Sequence, residues 1–472
     1  MMASPAAAFI GACLLLLGGA AGCRRRGGGG GGSVDSYGTS IVDYLTKGPH
    51  KGAAYKWTVD MADAFGHRKV GDDSLEAAID HVVVQAKLAG FDNVHTEEVT
   101  NIPNWSRGEG ESVTMLAPRT QRLAMTTIGG SVAGDVTAEA VVVKSFKELE
   151  RLGEAGNLKG KIVVYNPPWD TYNSVAGFRY SGATAAAKYG AVASLARSAT
   201  KFSLRTAHTG VGRTSTIPAA SLALEDAALL ERLQGRGHRV RLNVHVPARS
   251  QGVVTSRNTV FEILGKEKPN EVVLLSAHLD SWDVGQGVMD NLGGCAVTWQ
   301  ALSTLKEMYA KDGTQPKRTI RAALWTAEEI GLIGSRAYYE KHKNDEEKVV
   351  FASDSDRGAF APAADKNSKV LFHGGERLAD YSTLAALYDR HIAPSRLPLG
   401  VQEGAIEEMG EAYYWVRDGA AAAMYRSDYT RDWARYFQYH HTEADTVEVF
   451  EPRDLDQSAA VSAAFAHFAA NH

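Results

Sequence analysis

The sequence predicts an α/β protein: a mixed, largely parallel sheet flanked by helices, with a second unit inserted into the chain. Three observations carry this. From Asn258 onward, short apolar runs alternate with helical patterns, the rhythm of a sheet covered on both faces. The run at 272–275 (VVLL) is apolar without alternation, as in a strand buried on both sides. Between 130 and 250 the pattern becomes Gly-punctuated and strand-rich, and no cluster there has ligand spacing. The expected division is 41–129 with 251–472 as the main domain and 130–250 as the insert.

In chain order, residues 1–22 read as a signal peptide: the apolar stretch from Ala6 to Leu17 ends in small residues. That stretch is shorter than the roughly 20 residues of a membrane span. Cys23 after Ala-Ala-Gly keeps a lipid-anchored exported protein as an alternative. Residues 23–40 form a linker that carries RRRGGGGGG at 24–32. A helix is expected over 40–65, with Ile41, Leu45, Met61 and Phe65 on its apolar face. A second, over 74–90, sets Leu75, Ile79, Val82 and Ala86 on one face. A strand follows at 93–99. The insert should hold strands within 123–143 and at 161–165 and 191–195, helices at 182–190 and 225–233, and an alternating edge strand at 239–246. The main domain should hold strands at 259–264, 272–276, 319–325, 349–352, 370–373 and 420–424. Its helices fall at 293–309, 332–342, 378–390 and 453–470.

Composition is that of an ordinary globular protein, 44% hydrophobic and 22% charged. A net charge of −4 argues against a nucleic-acid partner. Three cysteines (Cys13, Cys23, Cys295) exclude a disulfide framework. Asn104-Trp105-Ser106 is a glycosylation acceptor in a eukaryotic host.

The candidate chemistry lies where expected strands end. His278 and Asp280 follow the 272–276 strand, and Asp290-Asn291 precede a helix of small residues. Glu328-Glu329 follow an apolar strand, Asp354 and Asp356 another, and His440-His441 with Asp445 close the set. Ligands of open α/β sheets gather at the carboxyl ends of strands. Imidazole and carboxylates there suit Zn²⁺ or a similar divalent ion. One such group is commonplace at a surface; five in one domain are not.

The motifs SAHLDS (276–281), MDNLGG (289–294), WTAEEIG (325–331), DSD (354–356) and HHTEADT (440–446) resemble the co-catalytic dizinc exopeptidase family. The resemblance spans nearly all of the chain after about residue 40. It implies a zinc aminopeptidase-like fold with a protease-associated-like insert and two Zn²⁺ per chain. His278 and Asp356 would complete one site, Glu329 and His441 the other, with Asp290 bridging. Asp280 would orient His278, Asp445 would do the same for His441, and Glu328 would be the general base. The activity implied is hydrolysis of dipeptides or short peptides with free termini. A homodimer, a removed propeptide within the first 40 or so residues, and a secreted or lysosomal location are implied with it. Two other functions are a non-catalytic binding ectodomain and a single-zinc glutaminyl cyclase, both on the same scaffold.

Several positions stay open at this level. Only one of His440 and His441 is expected to face the metals, and the H-T-x-x-D spacing favours His441. Asp354 competes with Asp356. Trp282 and Asp283 fit a pocket or a plain loop equally. His208-Thr209-Gly210 would reach an active site through a dimer partner. The segment around Gly410-Glu411 and Ala420–Ala423 departs from the family pattern, as does Phe65-Gly66-His67-Arg68, where an effect on the entrance is expected.

Overall fold

The computed structural model describes residues 34–361, 368–378, 386, 397, 400–426 and 433–472. The expected signal peptide, most of the linker and most of the 378–390 helix lie outside the described residues.

The main sheet has eight strands. In spatial order they are Asp92–Ser106, Arg249–Ile263, Arg318–Trp325, Lys268–His278, Lys348–Asp354, Ala421–Arg426, Lys369–His373 and Gly400–Glu403. Strand Lys268–His278 lies parallel to both of its neighbours, and Lys348–Asp354 is parallel to Ala421–Arg426. Strands Asp92–Ser106 and Arg249–Ile263 pair antiparallel, as do Ala421–Arg426 and Lys369–His373. The sheet is therefore mixed, with a parallel centre.

The unbroken apolar run is explained by two cores. Val273 and Leu275 enter one cluster with Leu302, Leu305 and Phe465, while Leu274 enters another with Trp325 and Trp415. Helices Gly293–Asp312 and Pro452–Asn471 cover the first face. On the second, Trp325 stacks on Trp415 at 5.8 Å. Each fully buried Val or Leu here contributes about 1.5–3 kcal/mol.

The second eight-stranded sheet is built from residues 112–246, so it begins ahead of position 130. Strand Arg241–Val246 lies between Ser112–Ala117 and Gly134–Val143 and is not an edge. Its alternation reflects one covered and one open face. The expected helix over 40–65 is two, Val34–Thr46 and Ala53–Phe65, broken where Gly52 takes φ +75°. The expected helix at 182–190 is Tyr172–Ala187, started by a Thr171–Ser174 capping box. Among the described residues, no helix is long and apolar enough to cross a membrane.

Candidate metal centre

The parallel strands deliver their carboxyl ends to one point. His278 is the last residue of Lys268–His278, Glu328 and Glu329 follow Arg318–Trp325, and Asp356 follows Lys348–Asp354. Asp290 sits in the turn Val288–Leu292 that feeds helix Gly293–Asp312. That turn packs so closely that a Cβ on Gly294 would lie 1.8 Å from Ser355 O and 2.2 Å from Asn291 Oδ1. Glycine at 294 lets the Asp290 turn and the Asp356 loop meet.

Asp290 is the hub. Its Oδ1 lies 3.2 Å from His278 Nε2, and its Oδ2 lies 3.2 Å from His441 Nε2. His278 Nε2 is also 3.5 Å from Asp356 Oδ1, and His441 Nε2 is 2.8 Å from Glu329 Oε2. Two donor groups thus share one carboxylate. His440 joins as well, with Nε2 3.4 Å from Asp290 Oδ2 and its ring stacked on His441 at 3.5 Å. Both neighbouring histidines therefore face the centre, where one was expected. Glu328 stands beside the groups, 3.9 Å from His278 Nε2, and is the more open of the glutamate pair.

The donors are held from behind. His278 Nδ1 lies 2.9 Å from the Asp280 carbonyl oxygen, which leaves Nε2 for a ligand. The Asp280 carboxylate is 3.6 Å from that ring and accepts the backbone N–H of Glu328 (3.1 Å) and Glu329 (3.3 Å). It seats the glutamate pair as much as the imidazole. Asp445 does not orient His441. Its carboxylate accepts the N–H groups of Val288 (3.1 Å), Met289 (2.6 Å) and Asp290 (3.1 Å), and so fixes the Asp290 turn. His441 is held by Thr209 of the same chain, with Nδ1 3.2 Å from Thr209 O and Thr209 N donating to His441 O at 3.0 Å. These contacts hold a non-glycine residue at φ +61°, a conformation costing about 1–3 kcal/mol.

Other expected positions settle differently. Asp354 lies below the centre, where Oδ2 accepts Glu411 N and Oδ1 accepts Ser276 Oγ. Trp282 packs over Gly129, where a Cβ would be 2.1 Å from the ring. Asp283 pairs with Arg107 at 2.5 Å, and Arg107 also reaches Thr126, Thr127 O and Thr209, joining the metal loop to the second sheet. Arg68 lies buried against the loop that runs from Leu279 to Gly287. It is fully buried and donates to the carbonyls of Leu279, Gly66, Gln286 and Gly287. An arginine inside a loop gives no periodic signal, so the sequence does not show this clamp.

A divalent ion fits this geometry. Buried Asp290 Oδ2, Glu329 Oε1 and Asp356 Oδ1 have no hydrogen-bond partner. Burial pushes Glu329 up to about 7 against the pull of His441. Burial also holds the Glu328 carboxyl well above its usual range, opposed by His278 and helped by Asp356, Glu329 and Asp290. For His278, burial disfavours the charged ring, but the Glu328 charge and the carboxylates of Asp280, Asp290 and Asp356 win and raise it well above 6.5. Crowded carboxylates of this kind call for a cation.

Known proteins align with this architecture. The sequence pattern of "Peptidase family M28" matches residues 258–466. Carboxypeptidase Q of Bos taurus is 37% identical over 440 residues, 92% of this chain and 88% of that protein. Carboxypeptidase Q of Homo sapiens is 36% identical with the same coverage. The crystal structure of a peptidase M28 precursor from Shewanella amazonensis superposes with TM-score 0.83 at 30% identity, covering 93% of this chain and 97% of the other. The Bacillus subtilis zinc aminopeptidase shares the fold, with TM-score 0.65 at 19% identity over 90% and 96% of the two chains. With that identity sustained over most of both sequences, the chain belongs to peptidase family M28 and is a metallo-exopeptidase.

Proposed function

We propose that the protein is a dizinc exopeptidase that hydrolyses dipeptides or short peptides with free termini. The sharing of Asp290 between two donor groups supports two ions over one. His278 and Asp356 would hold one zinc, Glu329 and His441 the other, and Asp290 both. His440 is a reserve donor on the His441 side. Zinc held by these residues would supply Lewis acidity toward a water and the scissile carbonyl.

The protein's own groups do the rest. Asp280 and Asp445 fix the backbone of the glutamate pair and of the Asp290 turn, so the donors stay in place without substrate. Glu328 lies in reach of the centre but outside the donor pairs, so its carboxylate takes a proton from the attacking water and passes it to the leaving amine. Carboxypeptidase Q is a carboxypeptidase by name; release of a carboxyl-terminal residue is therefore the expected direction here.

The test is Glu328→Gln with elemental analysis and dipeptide turnover. Two zincs per chain with turnover down roughly 10²–10⁴-fold is expected. Near-normal kinetics would remove Glu328 from the base role, and one zinc or none in the parent protein would sink the two-ion proposal.

A further inference from the structure

The second unit gathers positive charge at one end of its sheet. Strands Ser112–Ala117, Arg241–Val246, Gly134–Val143, Ile162–Tyr165 and Ala193–Arg197 lie side by side in that order. One rung crosses them: Ala117 pairs with Arg241, Arg241 with Glu139, Ala140 with Ile162, and Ile162 with Ala193. Around this rung stand Arg119, Lys159, Lys161, Lys188, Arg239 and Arg241. All are exposed except the half-buried Lys161. Gly160 N donates to Gly190 O at 2.8 Å, which sets the Lys159 turn beside that of Lys188. Exposed Arg236 and His238 continue the row between helix Leu224–Gly235 and strand Arg241–Val246. Glu139 is the carboxylate within the rung, and Lys161 already pairs with it at 2.7 Å. Lys161 chiefly, with Arg239 adding, holds the Glu139 carboxyl below its usual range. Glu154 ends the neighbouring helix Phe146–Glu154, with Arg151 in the same last turn. A chain of net charge −4 therefore keeps a surplus of cations on one sheet end.

This end is remote from the metal centre. Helix Tyr172–Ala187 starts at Tyr172, which lines the cavity over the metal donors, and ends beside Lys188. Its 16 residues, at about 1.5 Å each, separate the two by about 24 Å. Adjacent strands lie about 4.8 Å apart, so the row from Ser112–Ala117 to Ala193–Arg197 spans about 19 Å. A row of that form matches a chain of evenly spaced anionic groups. The stretch 232–241, RLQGRGHRVR, is of the basic type that binds such chains. Arg119, Arg236, Arg239 and Arg241 bring planar guanidinium groups, whose paired N–H donors suit oxyanions. A face seated on a membrane carries apolar or aromatic anchors beside its cations. Among the described residues, Leu116 is the one exposed large apolar side chain on the strands of this rung.

We infer that this end of the second unit docks on a linear sulfated polysaccharide and leaves the metal cavity open on the far side.

The experiment titrates heparin into the zinc-loaded parent protein and reads binding by calorimetry at low and at physiological salt. Arg239→Glu/Arg241→Glu and Lys159→Glu/Lys188→Glu each reverse two charges of the row. Lys56→Glu/Lys87→Glu reverses two on helices of the main domain and controls for net charge. Melting temperatures check that each variant folds. The parent should bind, and bind less tightly as salt rises. Affinity should fall about tenfold or more in either row variant and stay within about twofold in the control. Dipeptide turnover should be the same with heparin bound. A parent that does not bind heparin, or row variants that bind as the control does, overturns the assignment. Tighter binding to phosphatidylserine vesicles or to duplex DNA than to heparin overturns the choice of partner. Turnover lost in step with heparin binding would put the polymer over the metal cavity and overturn the docking face. The binding arms need no turnover, so they are read separately from the peptidase proposal.

Discussion

Asp445→Asn changes little in volume and removes one acceptor from beneath the Asp290 turn. The carboxylate accepts three backbone N–H groups: two at Oδ1, from Val288 and Met289, and one at Oδ2, from Asp290. Asparagine keeps a single acceptor oxygen. With that oxygen toward Val288 and Met289, its NH₂ faces the Asp290 N–H, donor against donor. The loss is one charge-assisted bond, about 1.5–3 kcal/mol, with a buried N–H left unpaired. Relief from burying a charge offsets part, since burial already pushes the Asp445 carboxyl up to about 7. A net destabilisation of about 2–4 kcal/mol follows, concentrated at the turn that carries the shared carboxylate. Loss of such outer support typically weakens metal binding 10- to 100-fold. Denaturant unfolding of the apo protein reads the first effect, and zinc competition against a chelator of known affinity reads the second. A variant as stable as the parent, with zinc affinity within about twofold of it, would show that the Asp290 turn holds itself and that Asp445 is dispensable.

Arg68→Met should destabilise the fold by about 3–5 kcal/mol and lower zinc affinity, because four carbonyls of the metal loop and its neighbour lose a buried donor; unchanged unfolding midpoints would contradict the clamp. Glu97, which pairs with His342 at 2.8 Å and Lys341 at 3.0 Å, gives a pH test. Burial opposes ionisation of Glu97, but its cationic partners hold it well below 4.5, so its contribution is present above that value and lost as pH falls through the lowered one. His342 is raised above 6.5 chiefly by its hydrogen bond to Glu97, so its contribution is full below 6.5 and lost as pH rises through the raised value. Glu97→Gln should therefore destabilise most between about pH 4.5 and 6.5, by about 1–3 kcal/mol, and less at alkaline pH. Thermal melts across pH that show a constant difference would refute the linkage.

The parts of the fold that the sequence shows are those with a local cause. The strand at Val272–Leu275 is legible because burial on both faces demands an unbroken apolar run. The donors are legible because strand ends concentrate them in short motifs. What the sequence hides is long-range. An aspartate cannot announce that its partners are backbone N–H groups more than 150 residues away, so Asp445 is expected to serve His441 and instead supports the Asp290 turn. Thr209 contributes a carbonyl, which any residue possesses, and its approach to His441 within one chain has no sequence mark. The alternation of Arg241–Val246 reports that one face is covered but not whether the strand has neighbours on both sides.

The attachment of His441 to Thr209 limits how far the molecule can be pared down. Residues 258–466 hold His278, Asp290, Glu328, Glu329, Asp356 and His441, and it is this span that the family pattern covers. A fragment trimmed to it would keep these side chains while discarding Arg68, Arg107 and the carbonyl that steadies His441. Transplanting the chemistry to a smaller scaffold therefore means carrying over a brace from the second sheet, since the ligands come without their own stiffening.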